Sequence, residues 1–301
     1  MNLSEKWVFI INPVAGGGFA SGMKEKIVEM ASRFNIDAET VFTEKRGHAS
    51  ILAKKYADEG FTHIIGVGGD GTFNEVASPL VSRRNVITGL IPAGTGNDFI
   101  QILGFPNRFE DQHWEQFFKG EVMAMDTGTC NDMTFYNGMG LGFDAQVAAE
   151  NYTEPGEVKK GGKNKYLWQI LKTLLFYKER TMTVLNNGSR TETDCFINTV
   201  AVGRRFAGGF FLTPKAFAND GLLDVCAIRR VSTPGLLVRL PLTIPGWHTG
   251  LQVVKTFRTT HMTIIGLDGP LIAQFDGEVR SLEGRMEIRL EPARLPVMVI
   301  R

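Results

Sequence analysis

The chain has 301 residues but only three cysteines, Cys130, Cys195 and Cys226, and these stand far apart. An odd number of widely spaced cysteines supplies neither a disulfide framework nor zinc spacing, so we expect a reducing compartment. The chain also lacks an apolar run of 18 residues, which predicts that no segment spans a membrane. The apolar stretch Trp7–Ile11 is too short for a signal peptide and is flanked by polar residues.

A strong charge bias is absent as well. The 33 basic and 32 acidic residues leave a formal net charge of +1, which argues against a globally basic nucleic-acid binder. The hydrophobic content of 43%, with 34 glycines and 12 prolines, excludes a disordered, collagen-like or coiled-coil chain. We therefore expect a cytoplasmic protein of two domains with a substantial core.

The first third of the chain alternates between two patterns. Between apolar runs, apolar residues recur at helical spacing, as do Met23, Ile27, Met30, Ala31 and Phe34. The apolar runs themselves are typical of buried strands and occupy residues 7–11, 36–42, 62–67 and 86–91. Strict alternation of strand and helix predicts right-handed crossovers and a parallel sheet.

Beyond Asp126 the sequence becomes mostly strand-like and predicts an antiparallel sandwich or barrel. Seven candidate strands, among them residues 193–202 and 253–265, are separated by the turn dipeptides Asn187-Gly188, Asp220-Gly221, Asp268-Gly269 and Asp276-Gly277. We therefore expect the α/β class, with a Rossmann-like parallel domain over residues 1–127 and an antiparallel β-sandwich domain over residues 128–301. The last strand, at residues 296–300, could belong to either domain.

The strongest local signal lies between a predicted strand and a predicted helix and reads Gly68-Gly69-Asp70-Gly71-Thr72-Phe73-Asn74-Glu75. Glycines there let backbone amides approach an anion closely, and the helix N-terminus adds aligned dipoles. The Asp70 carboxylate beside such a phosphate site suits an intervening Mg²⁺ ion. The alternative is a tight strand-to-helix turn in which Asp70 caps the helix.

Nearby glycines also form the dinucleotide-binding fingerprint G-x-G-x-x-G, at Gly66, Gly68 and Gly71. A Rossmann dinucleotide site needs an acidic residue about 20 positions later, at the end of the next strand. That strand ends instead in Leu90-Ile91-Pro92-Ala93-Gly94, which disfavours a dehydrogenase. The Walker A sequence and the protein-kinase signatures are absent too, so neither of those enzyme classes is expected.

Three further turns follow predicted strands in the same way. Residues 92–99 open a second helix with Gly94-Thr95-Gly96-Asn97-Asp98, and residues 12–18 follow the first strand with three glycines. Thr43 follows the second strand. Turns after parallel strands face one crevice beyond the carboxyl ends of the strands, where open α/β sheets bind ligands. Four such turns predict a nucleotide site.

Together these segments resemble the diacylglycerol-kinase-type lipid kinases, which include bacterial soluble diacylglycerol kinases and sphingosine kinases. The resemblance covers nearly the whole chain and rests on seven blocks in the family's order. Three are the turns at Asn12-Pro13, residues 68–76 and residues 94–98. The others are Asp126-Thr127-Gly128, Gly140-Leu141-Gly142-Phe143-Asp144-Ala145, Asp220-Gly221-Leu222-Leu223-Asp224 and Phe275-Asp276-Gly277-Glu278.

This resemblance implies a set of site residues. ATP would contact Asn12, Pro13, Val14, Ala15, Gly16, Thr43, Gly69, Asp70, Gly71, Thr72, Phe73, Asn74, Glu75 and Thr95. Asp70, Asp98 and Asp126 would form a carboxylate and water network that holds Mg²⁺. Asp276 would be the general base toward the lipid hydroxyl. A structural metal in the second domain would be held at Phe217, Asp220 and Leu222, partly through backbone oxygens.

Each of these acidic residues also has a purely structural interpretation. Asp276-Gly277 and Asp220-Gly221 are both sequences typical of a hairpin turn. Asp126 could cap a helix or sit in a turn at the domain junction. These alternatives stay open on sequence grounds.

A basic insertion indicates how the protein could meet an insoluble substrate. Residues 159–180 hold seven basic residues against Glu179 alone, together with an apolar helical face and three aromatic residues. Such a segment predicts peripheral contact with an anionic membrane surface, at the inner face of the membrane. The alternative is a core helix with solvated lysines at its start.

We therefore expect an ATP-dependent lipid kinase that uses Mg²⁺ and acts on diacylglycerol, with no nucleic-acid partner. Two other functions remain open: an NAD kinase, which shares the Gly-Gly-Asp-Gly-Thr theme, and a non-catalytic nucleotide-binding regulator. The resemblance also implies that a homodimer could form.

Overall fold

The computed structural model describes residues 5–151, 172–174 and 176–300. The chain forms two compact units, Met1–Thr127 with Pro292–Arg301 and Gly128–Glu291. The expected fold class is confirmed, since a parallel α/β unit is followed by a unit of antiparallel sheets. Residues 292–301, which include the strand left open by the sequence, belong to the first unit.

The first unit is built on four parallel strands in the order β2-β1-β3-β4. Every residue of β1 and β3 is buried, as expected of central strands covered on both faces. The end of the last strand of the chain joins this sheet parallel to β4, where Val297 pairs with Thr88. The four strands are β1 Trp7–Ile11, β2 Ala38–Phe42, β3 His63–Gly68 and β4 Ile87–Pro92.

The helices of the first unit pack on this sheet through the predicted apolar faces. Helix α1 buries Met23, Ile27, Met30 and Ala31, which are spaced along one face. Within the sheet, the indole of Trp7 in β1 stacks on the His63 ring of β3, with ring centroids 3.9 Å apart. The helices are α1 Met23–Arg33, α2 His48–Asp58, α3 Asp70–Ala77, α4 Ile100–Leu103 and α5 Asp111–Phe118.

The second unit contains two antiparallel sheets. One has six strands in the order β12-β11-β10-β7-β14-β15, and the other joins β16, β13, β8 and β9. Its helices are α6 Phe143–Asn151 and α7 Thr233–Arg239, and α7 is followed by 3₁₀ turns at Leu240–Thr243 and Trp247–Gly250. Two strands contain residues of both units, β5 Glu121–Cys130 and β16 Arg285–Val299. The others are β6 Met133–Phe135, β7 Gly138–Gly142, β8 Arg180–Asn186, β9 Ser189–Cys195, β10 Ile197–Ala201, β11 Leu223–Ile228, β12 Val254–Thr259, β13 His261–Gly266, β14 Leu271–Phe275 and β15 Glu278–Leu282.

Two predicted strands of the second unit are wrong as single elements. Residues 193–202 and 253–265 each divide into two strands that pair in different sheets. At the second break, the Thr259 hydroxyl bonds both the N–H and the carbonyl of His261, which holds a bend between β12 and β13. The apolar pattern continues through such a bend, so it does not reveal that the chain changes sheets.

The turn dipeptides behave unequally. Asn187-Gly188 and Asp276-Gly277 each join two paired strands with positive φ at both residues, which is the hairpin geometry expected of these sequences. Asp220-Gly221 instead precedes β11, which pairs with β10 and β12, so its hairpin interpretation is wrong. Among the described residues, no helix is both long and apolar enough to cross a membrane.

Candidate active site

The predicted nucleotide turns lie at the carboxyl ends of the four parallel strands. In the order β2-β1-β3-β4, β2 is added on one side of β1, whereas β3 and β4 are added on the other. Open α/β sheets bind ligands where the order of strand addition reverses in this way, here between β1 and β3. Asn12 follows β1, and its side-chain amide donates to the Thr72 hydroxyl beyond β3 at 3.0 Å. Thr43 follows β2 and is buried, with its N–H bonded to the Ile11 carbonyl at 2.8 Å.

Three glycine turns at this edge touch one another through their backbones. The N–H groups of Ala93 and Gly94 both donate to the Gly68 carbonyl, at 2.7 and 2.9 Å. A Cβ added to Gly94 would collide with the Cα of Gly69, and one added to Gly16 would collide with the Ala93 carbonyl oxygen. Glycine is therefore required here for close approach.

Gly16, Gly17 and Gly18 have φ values of 62°, 70° and 99°, a left-handed run that L side chains rarely adopt. The surroundings of Gly17 and Gly18 are open, so these two glycines serve the backbone conformation. Turns of this kind present successive N–H groups to an anion. The position after β1 therefore suits a phosphate.

Asp70 does not cap its own helix. The N-cap of α3 is Gly69, and the Asp70 carboxylate accepts instead from the N–H groups of Asp98 at 3.0 Å and Phe99 at 2.8 Å. These amides immediately precede α4, so Asp70 ties the turn after β3 to the turn after β4. The interpretation of Asp70 as the residue that caps α3 is therefore wrong.

Two other predicted nucleotide contacts also serve the fold. The Glu75 carboxylate accepts from the N–H groups of Gly47 at 2.9 Å and Ala49 at 3.3 Å, which stabilises the start of α2. The Phe73 ring is buried and stacks on Phe99 with centroids 3.7 Å apart. A contribution of Phe73 to a nucleotide site would therefore come from its backbone, whereas Thr95 is exposed.

Two residues at this edge were not among the predicted site residues. Asn97 is buried with a positive φ of 51°, and its side-chain oxygen has no hydrogen-bond partner among the described residues. The Arg108 guanidinium donates to the carbonyls of Pro92 and Gly94 at 3.2 and 3.1 Å and lies over the Phe19 ring. Asn97 belongs to the glycine motif, but nothing in the sequence around Arg108 indicates that it reaches the turn.

Of the three carboxylates proposed for Mg²⁺, Asp70 lies beside Asp98, whereas Asp126 bonds a different segment of the chain. Asp126 is buried within β5, so neither the turn nor the capping interpretation applies, and its carboxylate accepts from the Ala293 N–H at 2.8 Å. Asp98 is partly buried at the start of α4. The described part of the chain contains no group of three His, Cys, Asp or Glu side chains placed to hold a metal. The carboxylate and water network of Asp70, Asp98 and Asp126 around Mg²⁺ stays a prediction.

Asp276 lies in the second unit at the first position of the β14–β15 hairpin, with φ of 47°. Its carboxylate accepts from three consecutive N–H groups, those of Tyr136 at 2.6 Å, Asn137 at 3.0 Å and Gly138 at 2.9 Å. The turn interpretation is therefore correct, and it coexists with a carboxylate held in one orientation. Rigid placement of this kind is what a general base requires, although it also serves the hairpin.

A second acidic side chain lies close to this hairpin. A Cβ on Gly140 would collide with the Asp144 carboxylate and approach the Gln274 amide nitrogen to 2.9 Å, so the missing side chain makes room for both groups. Gln274 hydrogen-bonds Asp144 and accepts from the Gly277 N–H at 2.9 Å. Asp144 is partly exposed as a residue, but its Oδ1 is buried with no partner in the described part of the chain. Burial raises the pKa of this carboxyl to about 7.

The predicted structural metal site contains a cation of the protein itself. The Arg258 guanidinium faces Asp220 at 3.6 Å and Asp224 at 3.2 Å and donates to the Lys215 carbonyl at 2.9 Å. Asp220 also accepts from the Leu222 N–H, and the exposed Phe217 ring lies under Arg204. One oxygen of Asp224 is buried without a described partner. Arg258 therefore neutralises part of this loop, and metal binding at Phe217, Asp220 and Leu222 stays a prediction.

Two family models match the chain and together span residues 6–299. Residues 6–151 match the diacylglycerol kinase catalytic domain, and residues 138–299 match the YegS C-terminal NAD kinase beta sandwich-like domain. The chain is 28% identical over 254 residues to the probable lipid kinase YegS of Salmonella heidelberg and to that of Salmonella typhimurium. Each match covers 80% of this chain and 83% of the relative.

Solved structures show the same fold. A diacylglycerol kinase from Bacillus anthracis str. Sterne superposes with a TM-score of 0.73 at 20% identity. Another structure from the same strain superposes with a TM-score of 0.79 at 23% identity. In both cases 98% of this chain and 97% of the other are covered. At these identities the similarity establishes the fold alone.

The contact between Gly69 and Gly94 predicts a large effect of one methyl group. Gly94→Ala is expected to lower the free energy of unfolding by about 2–4 kcal/mol, because the added Cβ meets backbone atoms. Gly71→Ala is the matched control, since a Cβ there meets nothing within 4 Å. Because Gly71 lies in α3, alanine should leave the free energy of unfolding unchanged or raise it by up to about 1 kcal/mol. Denaturant unfolding measures the stability of the two variants. Equal stability would contradict the close backbone contact of Gly94 with Gly69.

Asp144 predicts a pH dependence of stability with a definite sign. Its folded pKa of about 7 exceeds the ordinary value of 3.8, so the folded state keeps a proton that the unfolded chain has lost. The free energy of unfolding should therefore fall by about 1 kcal/mol per pH unit as the pH rises across this window. Asp144→Asn should flatten this slope in unfolding experiments at several pH values. Asp132→Asn, at an exposed aspartate, is the control and should leave the slope as in the wild type.

Proposed function

We propose that this chain, which belongs to the diacylglycerol kinase-type lipid kinases, transfers the terminal phosphate of ATP to the hydroxyl of diacylglycerol. The family's catalytic and C-terminal domain models together match residues 6–299. The observation that carries the nucleotide half of this proposal is the mutual backbone contact of the glycine turns at Gly16, Gly69 and Gly94. These turns meet at the strand reversal, where a nucleotide is expected. Family membership supports ATP as the donor.

The protein groups around the phosphates would act by placing charge and amides. The left-handed glycines after β1 and the start of α3 offer N–H groups, and Arg108 adds a positive charge beside the turn after β4. Phosphoryl transfer depends mainly on such alignment and neutralisation. A bound Mg²⁺ ion would neutralise developing charge on the phosphates.

The residues fit Mg²⁺ only together with the nucleotide. Mg²⁺ is commonly held by one or two carboxylates plus substrate phosphates, so a three-carboxylate cluster is not required. The Asp70 carboxylate has lone pairs beyond the two that accept backbone N–H groups, and Asp98 adjoins it at the start of α4. We propose Asp70 and Asp98 as its protein ligands, with Asp126 acting through water.

Asp276 is proposed as the general base that takes the proton of the lipid hydroxyl. Its carboxylate accepts hydrogen bonds from three N–H groups, which hold it in one orientation. The hairpin that carries Asp276 is stabilised by the hydrogen bond from the Gly277 N–H to Gln274. A base must lie within hydrogen-bond reach of the proton that it abstracts. The rigid carboxylate supports this role, which sequence resemblance first suggested.

A cavity in the second unit supports a lipid acceptor. Its volume is about 510 Å³, and it lies beside α6 and the start of β14. Phe176, Tyr177 and Leu271 supply apolar surface, while about half of the lining residues are polar or charged, among them Glu150 and Lys178. Cavities of this size are common among small-molecule sites.

Labelled ATP distinguishes the proposed activity from its alternatives. Incubation with Mg²⁺ and a total lipid extract should place the label in a lipid, which mass spectrometry then identifies as a phosphorylated diacylglycerol. The second matched domain is described as NAD kinase-like, so NAD is the competing acceptor. Label in NAD alone would contradict the proposal, and label in neither would favour a nucleotide-binding regulator.

Asp276→Asn should lower kcat by about a hundredfold or more while ATP binding is retained, because the proton acceptor is lost. Asp132→Asn is the matched control, since Asp132 is an exposed aspartate in the turn between β5 and β6. Thermal unfolding of both variants separates loss of chemistry from loss of structure. Wild-type turnover by folded Asp276→Asn would remove Asp276 from this role.

A further inference from the structure

One stretch of the second unit contains no acidic residue. Between Asp224 and Asp268 the sequence has no aspartate or glutamate, yet it holds five basic residues, Arg229, Arg230, Arg239, Lys255 and Arg258. The stretch therefore has a formal charge of +5 in a chain whose net charge is +1. The charge distribution along the chain is strongly uneven at this point.

The middle of this stretch exposes large apolar side chains. Val238 is 74% exposed, Ile244 56% and Trp247 72%. They lie on or beside α7 and the two 3₁₀ turns that follow it, which pack on one another in succession. We call residues 233–250 the apolar helical patch.

The apolar helical patch is firmly attached to the second unit on its other side. Leu236 is buried in a cluster with Phe143, Val147 and Phe196. His248 is buried and lies 3.2 Å from the Leu212 carbonyl oxygen. The exposed side chains are thus presented by an anchored segment.

Basic side chains flank the apolar helical patch. Arg229 and Lys255 are exposed and lie close in the sheet, since the Arg229 N–H bonds the Val253 carbonyl and Lys255 pairs with Ala227. Arg230, by contrast, forms an ion pair with Glu179 at 3.5 Å. A combination of exposed tryptophan and aliphatic side chains with basic neighbours is typical of surfaces that lie on anionic membranes.

We propose that the apolar helical patch, with Arg229 and Lys255, docks the protein onto an anionic lipid membrane. The charge complementarity selects a lipid surface over a second copy of this chain, because two copies would bring like charges together. Trp247 enters the headgroup layer while the basic side chains contact lipid phosphates. The inference rests on the proposed lipid acceptor, since diacylglycerol resides in membranes. It is argued from residues other than the basic insertion at residues 159–180, most of which lies outside the described residues.

Vesicle sedimentation tests the proposal. The full-length protein is mixed with vesicles of phosphatidylcholine alone or with roughly equal parts of phosphatidylcholine and phosphatidylglycerol. Trp247→Ala and Val238→Asp should each weaken binding to the anionic vesicles by about tenfold. Arg229→Gln combined with Lys255→Gln should weaken binding and reduce its dependence on salt. Ile51→Asp is the matched control, since Ile51 is 62% exposed on α2 of the first unit, and it should bind as the wild type does.

Wild-type binding by Trp247→Ala and Val238→Asp would overturn the proposal. So would a wild-type dimer that either variant converts to monomer in analytical ultracentrifugation, because the patch would then bind a second copy. Phosphorylation of a short-chain diacylglycerol in solution separates this inference from the proposed function. That activity should be unchanged in the patch variants. If the wild type lacks it, the kinase proposal is contradicted. The vesicle experiment would still decide whether the patch is a docking surface.

Discussion

The backbone contact between the turns after β3 and β4 is the constraint on which the first unit depends. Gly94 lies so close to Gly69 that a Cβ on Gly94 would collide with the Gly69 Cα, and a Cβ on Gly16 would collide with the Ala93 carbonyl oxygen. This contact brings three separate sequence motifs to one edge of the sheet. Because the turns carry no side chains at these points, their amides and the start of α3 remain available to an anion.

Acidic side chains stabilise this arrangement by accepting backbone N–H groups from distant segments. Asp70 holds the start of α4, Glu75 holds the start of α2, and Asp126 holds the strand that returns from the second unit. Asp276 does the same for the loop before β7. Charge-assisted hydrogen bonds of this kind are stronger than neutral ones, so these acids organise the turns that present the proposed reactive groups. Structural and chemical roles are therefore combined in the same residues.

The second unit shows how glycine in a strand makes space for buried polar groups. Gly140 in β7 leaves room for the Asp144 carboxylate and the Gln274 amide, which in turn bonds the hairpin that carries Asp276. The apolar helical patch shows the opposite distribution, with apolar side chains on the surface and an anchored interior side. The exposed apolar side chains are the basis of the proposed membrane contact.

The sequence by itself determined the parallel α/β unit, because apolar runs and helical spacing report directly on burial, and it located the glycine turns by their motifs. It could not reveal β7, since three of the five residues in that strand are glycine, nor the points at which residues 193–202 and 253–265 change sheets. Only the tertiary structure decided which groups each carboxylate bonds, that Arg108 reaches the turn after β4, and that Arg258 faces Asp220. These contacts join residues far apart in the chain, and local patterns carry no information about such pairings.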